Sequence, residues 1–182
     1  MPARNSPVRY GSVAQFLHWA IVVLLIVQVT LGKIAHELPL GLERLVMMAR
    51  HKSVGITILG LALVRLAWRW IDRPPPLPPM PRWQEIAARL NHWALYALLF
   101  ALPLSGWLMS SAANRPASWF GLLQLPDFIA PDPGLKELCE EMHELLVNVL
   151  FVLAGLHVAA ALKHQFIDRD GLLQRMLPGR AR

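Results

Sequence analysis

The chain has 182 residues, of which 55% are hydrophobic, with a mean hydropathy of +0.40 and a formal net charge of +6. This excess of apolar residues is unusual for a soluble domain. The single cysteine, Cys139, excludes an internal disulfide and a cysteine-based metal cage. The basic residues mostly flank apolar segments, where lipid and membrane topology account for them, so nucleic-acid binding is not expected.

Four apolar segments contain the hydrophobic excess, and each is close to the roughly 20 residues needed to cross a membrane. They are 13–32, 46–68, 86–109 and 142–162. The first segment lacks the small-residue cleavage site of a secretory signal and exceeds a typical signal core in length, so we interpret it as a membrane helix. The sequence therefore predicts an all-α fold, an integral membrane four-helix transmembrane bundle, formed by a single domain over 1–182.

Two of the links between these segments have a distinctive composition. "DRPPPLPPMPRW" joins the second and third segments, and a proline run this dense predicts a stiff extended connector. The link 110–141 contains an apolar stretch in which we expect a short interfacial helix around 119–125. Glutamates near its end are interpreted as favoured by the dipole at the start of the fourth helix; they are Glu137, Glu140, Glu141 and Glu144.

The orientation of the bundle follows from the distribution of Lys and Arg, which are enriched on the cytoplasmic side of membrane spans. Twelve of the 18 basic residues lie at the N-terminus, around the second link and at the C-terminus, where Arg180 and Arg182 are included. The first and third links with their flanks hold the other six. The sequence therefore predicts that both termini are cytoplasmic.

Four histidines lie at two matched depths in this topology. His18 and His157 are near the inner, cytoplasmic ends of the first and fourth segments, whereas His51 and His143 are near the outer ends of the second and fourth. Fourteen helical residues separate His143 from His157, which is about 21 Å along the axis and close to a whole number of turns. One face of the fourth helix therefore presents a histidine at each level.

Paired imidazoles from facing helices are the axial ligands of a haem iron, and helix bundles hold such cofactors between inward-facing side chains. We therefore predict two stacked haems, with His18 and His157 as the metal ligands of the inner one and His51 and His143 as those of the outer one. For single histidines, an interfacial or solvated position is the alternative. A membrane metal-ion transporter or sensor that binds Zn or Cu is the competing class, although such a site favours ligands at one depth and a polar path.

These residues lie in segments that resemble the prokaryotic cytochrome b561 family. The matching segments are "QFLHW", "RHKSVGITIL", "LVRLAWRWIDRPPP", "NHWALYALLFALPLSGWLM", "HELLVNVLFVLAGLHVAAALKHQF" and the terminal "LLQRMLPGR". They follow one another in the family's order over nearly the whole chain. The resemblance implies a small four-helix cytochrome of the bacterial inner membrane that holds two haem b groups on His18, His51, His143 and His157.

The resemblance also implies a function. It implies ubiquinone as the membrane electron partner and a small anionic or protein electron donor at the periplasmic face, and some members that resemble this chain oxidise superoxide there. This would make the protein a superoxide:ubiquinone oxidoreductase. A haem b electron-transfer subunit of a larger respiratory dehydrogenase or hydrogenase is the alternative within the same chemistry.

Two further residues are candidates for cofactor binding. His164 lies seven residues beyond His157 on nearly the same helix face, where it would donate a hydrogen bond and a proton to quinone; the alternative is an ordinary interfacial histidine. Arg65, deep in the inner end of the second segment, would pair with the propionates of the inner haem, whereas the alternative is an arginine that reaches lipid headgroups.

Other polar residues near the two levels have less defined roles. For His92, contact with a propionate or quinone and packing at the membrane edge are equal alternatives. Arg50 and Lys52 flank the outer ligand His51 and suit either propionate pairing, attraction of a small anion or contact with headgroups. His36, in the first outer link, is expected to be solvated.

Overall fold

Four long α-helices form the protein. The structure is a computed structural model that describes residues 2–179, so Arg180 and Arg182 lie outside the described residues. The helices are α1 (Ser12–Glu37), α2 (Leu42–Ile71), α3 (Arg82–Ala112) and α4 (Pro133–Lys163). Each contains one of the four apolar segments, and each is long and apolar enough to cross a membrane. The predicted all-α transmembrane bundle is confirmed.

Local sequence signals set the ends of these helices. α1 ends before Pro39, and α3 begins directly after Pro81, because proline lacks the N–H that a continuing helix requires. At the start of α4, the Asp132 side chain accepts a hydrogen bond from the Leu135 N–H at 3.0 Å, while Pro133 occupies the first helical position. The chain therefore enters α4 nine residues before the predicted span.

The helices pack as two antiparallel pairs, α1 with α2 and α3 with α4, and the pairs meet mainly between α2 and α3. The α1–α2 and α3–α4 connections lie at one end of the bundle, called here the loop end. Both termini and the α2–α3 connection lie at the other, the terminal end. Apolar side chains cover most of the helix surface, and in α4 only Cys139 and Leu150 are buried, as expected for helices that face lipid.

The link between α3 and α4 forms a small β-hairpin, so the interfacial helix expected around 119–125 is wrong. Strand β1 (Ser118–Trp119) pairs antiparallel with β2 (Leu123–Gln124). Phe120 and Gly121 have positive φ values of 50° and 74°, which a helix cannot contain. A helix of five to seven residues is marginal by itself, whereas this turn gains hydrogen bonds to α2, described below.

The C-terminal residues fold back across the terminal end. A π-helical turn (His164–Asp168) follows α4, Arg169 adopts a left-handed conformation, and a short 3-10 turn (Leu173–Arg175) leads to the tail. The Arg175 carbonyl accepts from the Tyr10 N–H and the Gln15 side chain, and the Met176 carbonyl accepts from the Trp19 indole. These bonds join Tyr10, Gln15 and Trp19 to Arg175 and Met176 in one layer across the terminal end, called here the terminal floor.

Candidate functional site

The four histidines predicted as metal ligands lie in two pairs inside the bundle. The ring centroids of His18 (α1) and His157 (α4) are 6.3 Å apart, with an angle of 73° between the ring planes. Those of His51 (α2) and His143 (α4) are 6.4 Å apart, with an angle of 74°. The pairing is the one expected from depth, and α4 contributes one imidazole to each pair.

The spacing within each pair is that of two imidazoles on opposite sides of one metal ion. A metal–imidazole bond is about 2.0–2.1 Å, and a ring nitrogen lies about 1.1 Å from the ring centroid, so two linear bonds separate the centroids by about 6.3 Å. Direct hydrogen bonding between the rings would bring them closer. The donor set, two imidazoles per level and no thiolate, is the set that b-type haem uses.

At the loop-end pair, the backbone of α1 orients the His51 ring. The Nδ1–H of His51 donates to the Gln28 carbonyl at 3.0 Å, which leaves Nε2 unprotonated; the Gln28 amide donates to that Nε2 at 3.2 Å. Gly32, one turn beyond Gln28, makes this approach possible, because a Cβ there would lie 2.9 Å from the ring Cε1. The tautomer so fixed presents Nε2 as the metal-binding nitrogen.

The second imidazole of this pair is oriented by α3. The Nδ1–H of His143 donates to the Ser105 hydroxyl at 2.9 Å, and that hydroxyl donates to the Leu102 carbonyl at 2.9 Å. Both rings of the loop-end pair therefore have Nδ1 engaged as a donor and Nε2 unprotonated, although the Gln28 amide is hydrogen-bonded to Nε2 of His51. A carbonyl or hydroxyl on the second ring nitrogen is the usual partner of a metal-binding histidine.

A third histidine joins the pair at the terminal end. The ring of His92 lies 5.4 Å from that of His157, and Trp19 packs edge-on against His18 at 5.2 Å. The separation of His92 from His157 is about 1 Å too short for a metal ion between the rings, by the same bond lengths as above. His92 is therefore placed as a neighbour of the terminal-end pair, and His18 remains the partner of His157.

Below the terminal-end pair, donor groups line a small recess between α1, α2 and α3. The Arg65 guanidinium donates to the Ala14 carbonyl at 3.1 Å and lies 5.9 Å from the Tyr96 ring. The indole N–H of Trp68 is buried there without a partner among the described residues. Burial raises the pKa of the Tyr10 phenol, an effect that Arg69 and Arg65 oppose, so this hydroxyl stays protonated. The recess therefore presents hydrogen-bond donors suited to a carboxylate.

The structure places His164 at the first residue of the π-helical turn, with only 8% of its surface exposed. Its Nδ1 lies 2.6 Å from the Asp170 carboxylate and 3.2 Å from that of Asp168. Lys163 forms an ion pair with Asp168 at 2.5 Å. The imidazole is thus held in one orientation with a carboxylate on one ring nitrogen, which leaves the other for a ligand.

The basic residues and histidine of the loop end lie at its surface or against the α3–α4 link. The Lys52 ammonium donates to the Arg115 carbonyl at 2.8 Å, Arg50 is exposed, and His36 is exposed, as expected. The dipole interpretation of the glutamate cluster is wrong, because α4 begins at Pro133 and its first turn contains no acidic residue. Asp132 caps the helix in their place.

Sequence reasoning missed four residues of the site: Gln28, Gly32, Ser105 and Trp68. Gln28 and Ser105 had a usable signal, since each is a polar residue inside an apolar span and such residues are functional by default. Gly32 and Trp68 had none, because a glycine and a tryptophan near the ends of a span are common without any ligand.

The chain is similar to known membrane cytochromes over almost its whole length. The model of the prokaryotic cytochrome b561 family matches residues 9–179. The chain is 35% identical to cytochrome b561 homolog 2 of Escherichia coli (strain K12), over 97% of this chain and 95% of that relative. It is 32% identical to cytochrome b561 homolog 1 of the same organism, over 94% and 98%. It is 30% identical to the probable superoxide oxidase CybB of Yersinia pestis, over 93% and 96%.

Proposed function

The chain belongs to the prokaryotic cytochrome b561 family, and from this premise we propose that it is a dihaem b-type cytochrome that carries electrons from a donor at the loop end to ubiquinone at the terminal end. As a family member with four membrane-spanning helices, it is a membrane electron-transfer protein of bacterial type. The terminal end, with the larger share of Lys and Arg, is assigned to the cytoplasm, so that the donor side is periplasmic.

The observation that carries this proposal is the pair of imidazole separations, 6.3 Å and 6.4 Å, at two levels of one bundle. His51 and His143 would hold the haem of the loop end, and His18 and His157 that of the terminal end. Bound haem supplies reversible one-electron oxidation and reduction at its iron. Each imidazole pair would hold its haem from both sides, so that an electron donor would reach the haem at its edge.

Arg65 and Trp68 would bind the propionates of the terminal-end haem. The recess below His18 and His157 is lined by two guanidinium groups, the neutral Tyr10 phenol and Trp68, whose indole N–H has no partner among the described residues, and such donors suit a propionate carboxylate. The Asp72 carboxylate nearby accepts from the Asn5 N–H at 2.8 Å and is not directed at the arginines. This chemistry supports the propionate role for Arg65 over contact with lipid headgroups.

His164 would protonate the quinone. Its Nδ1 is held by Asp170, which leaves Nε2–H to donate a hydrogen bond and a proton to a quinone carbonyl. Its position, seven residues from His157, is about 10 Å along the helix axis, next to the terminal-end haem. Asp168 and Lys163 lie on the side of the imidazole where the cytoplasmic protons would enter.

Superoxide is the donor to be tested first, since one relative at 30% identity is named a probable superoxide oxidase. Two superoxide ions would release two electrons and leave two molecules of O₂. One ubiquinone would take up both electrons together with two protons and become ubiquinol. The protein would bind and orient the reactant at each end and exclude water there. At the quinone end, its histidine side chains would supply the protons.

The test is stopped-flow reduction of the purified protein by a superoxide pulse, followed by reoxidation with added ubiquinone. We expect both haems to be reduced, and His164→Ala to slow the reoxidation about 10²-fold or more, as typical for the loss of a positioned proton donor. The matched control is His36→Ala, an exposed histidine at the other end of the bundle.

Three other outcomes of these measurements would change the proposed quinone site, donor or role. Reoxidation of His164→Ala at the parental rate would assign quinone to another position, near His92 or the loop-end pair. Failure of superoxide to reduce a protein that contains both haems would remove it as the donor. A donor that acts only in the presence of a second protein would favour the role as a subunit of a larger dehydrogenase or hydrogenase.

A further inference from the structure

The hairpin between α3 and α4 exposes an apolar surface. Residues 116–126 contain no charged side chain, and the largest apolar groups of the turn are exposed: Phe120 by 55%, Leu122 by 80% and Leu123 by 61%. An uncharged, aromatic-rich tip of this kind is unfavourable in water. Its exposure therefore requires a partner that accepts apolar side chains.

Two hydroxyl groups of α2 attach this hairpin to the side of the bundle. The Ser53 hydroxyl donates to the Ser118 carbonyl and accepts from the Phe120 N–H, both at 3.0 Å. The Trp119 indole donates to the Thr57 hydroxyl at 3.0 Å. Thr57 lies six residues beyond His51, about 9 Å deeper along the helix, so the hairpin descends past the level of the loop-end pair.

The surface on which the hairpin lies continues as the lipid-facing side of α2. Gly60, Val64 and Ile71 lie three, seven and fourteen residues after Thr57, so they occupy one face of the helix, and all three are exposed. In a membrane-spanning helix such an apolar exposed face contacts acyl chains. Trp119 thus lies at the outer end of a surface that lipid already covers.

Several backbone groups of the hairpin are hydrogen-bonded, which lowers the cost of placing it in lipid, where unpaired polar groups are costly. The Leu122 N–H donates to the Trp119 carbonyl and the Leu125 N–H donates to the Ala117 carbonyl, each at 2.9 Å. Ser53 satisfies the Ser118 carbonyl and the Phe120 N–H, as described above. The remaining contacts of the tip are made by apolar side chains.

We propose that residues 118–124 form a lipid-inserted clasp, in which Phe120, Leu122 and Leu123 enter the acyl region of the loop-end leaflet while Ser53 and Thr57 hold the hairpin against α2. The clasp thus packs against the face of α2 that carries Ser53 and Thr57, at the loop end of the bundle. Aromatic residues at this height belong to the interfacial belt of membrane proteins. The partner is the bilayer itself, and no second protein is required.

The test uses an environment-sensitive fluorophore on single cysteines in the full-length protein, reconstituted into phosphatidylcholine nanodiscs on a Cys139→Ala background. Leu122→Cys carries the label, and Leu40→Cys is the matched control, a leucine exposed by 87% in the α1–α2 link at the same end. We expect nitroxide attached to the lipid acyl chains to quench the label at 122 several-fold more strongly than that at 40. A water-soluble nitroxide should show the reverse order.

Two outcomes would overturn the proposal. Equal quenching of both labels by the water-soluble nitroxide would show that the tip is in water. Protection of the label at 122 from both quenchers would show that protein covers the tip, either a second copy or another chain. Ser53→Ala, which leaves two backbone groups of the hairpin unsatisfied, should increase the access of water-soluble quencher to the label at 122 and leave that at 40 unchanged.

Discussion

Substitution of Gly32 by alanine tests whether the close approach of the α1 backbone to the His51 ring holds the haem proposed for the loop end. The added Cβ would lie 2.9 Å from Cε1 and 3.1 Å from Nδ1 of His51. Non-bonded carbon atoms prefer separations of about 3.5–4.0 Å, so the ring must retreat by roughly 0.6–1 Å. The 3.0 Å bond from His51 Nδ1 to the Gln28 carbonyl would then lengthen beyond the limit of a hydrogen bond.

The magnitude follows from the loss of this orienting contact. Removal of the partner of a metal-binding histidine typically reduces metal affinity about 10–100-fold, which is about 1.4–2.7 kcal/mol. We expect the dissociation constant of one of the two haems to rise by this factor, measured by transfer of haem to an excess of a haem-scavenging globin. The other haem should keep its parental affinity. Its rate and extent of transfer therefore serve as an internal reference in the same sample.

Matched variants assign the effect to the loop-end pair. Gly60→Ala in α2 has no atom within 4 Å of the new Cβ, so it should leave haem binding unchanged and slightly stabilise the helix. On a His157→Ala background, which retains only the loop-end haem, Gly32→Ala should lose most of the remaining haem and Gly60→Ala should not. Parental haem affinity in Gly32→Ala, or loss of the haem in the terminal-end pair, would refute this reasoning.

Three other predictions concern the haem pairs and their surroundings. The paired histidines are His18 with His157 and His51 with His143. Alanine at any one of them should halve the haem content per protein. Two variants from the same pair should lose the same component of the haem spectrum. Trp68→Phe removes an indole donor that has no partner among the described residues, and it should lower the midpoint potential of the haem proposed for the terminal end. The reason is that a propionate with less of its charge neutralised favours the ferric form. A redox titration with an unchanged potential would exclude the indole as a propionate donor. The pKa of the Tyr10 phenol is raised above 10.0, so one tyrosine should ionise above the ordinary phenol range in an ultraviolet titration, and Tyr10→Phe should remove that step. Because the unfolded chain ionises first, the contribution of Tyr10 to stability is lost as pH rises from the ordinary phenol range through this raised pKa.

The sequence could predict the features that follow from the spacing of its apolar segments and from the depth of its histidines in the membrane. Four apolar segments require four spans, and the fourteen-residue interval in α4 requires one histidine at each level, so the pairing followed without a structure. The contacts that orient each imidazole depend on how deeply one helix seats against the next. The distance of Gly32 from His51, which are 19 residues apart on two helices, is decided by that packing and leaves no periodic signal.

The hairpin between α3 and α4 is an element for which the sequence predicted the wrong structure. Its residues have the apolar, aromatic composition of an interfacial helix, and the sequence alone favours that form. The decisive interactions are with Ser53 and Thr57, more than 60 residues earlier in the chain, which supply partners for the strand backbone and for the Trp119 indole. A local propensity argument cannot detect partners that tertiary packing provides.

The terminal floor has a topological consequence for the whole molecule. Arg9 donates to the Leu177 carbonyl, and the carbonyls of Arg175 and Met176 accept from Gln15 and Trp19, so the first and last described segments are neighbours across more than 150 positions. The protein is thus nearly a closed ring of two helical hairpins. A short linker joining the ends, with a new opening in the proline-rich connector, would give the order α3–α4–α1–α2 with every span in its original direction. Such a permuted chain keeps both imidazole pairs while reversing which hairpin enters the membrane first.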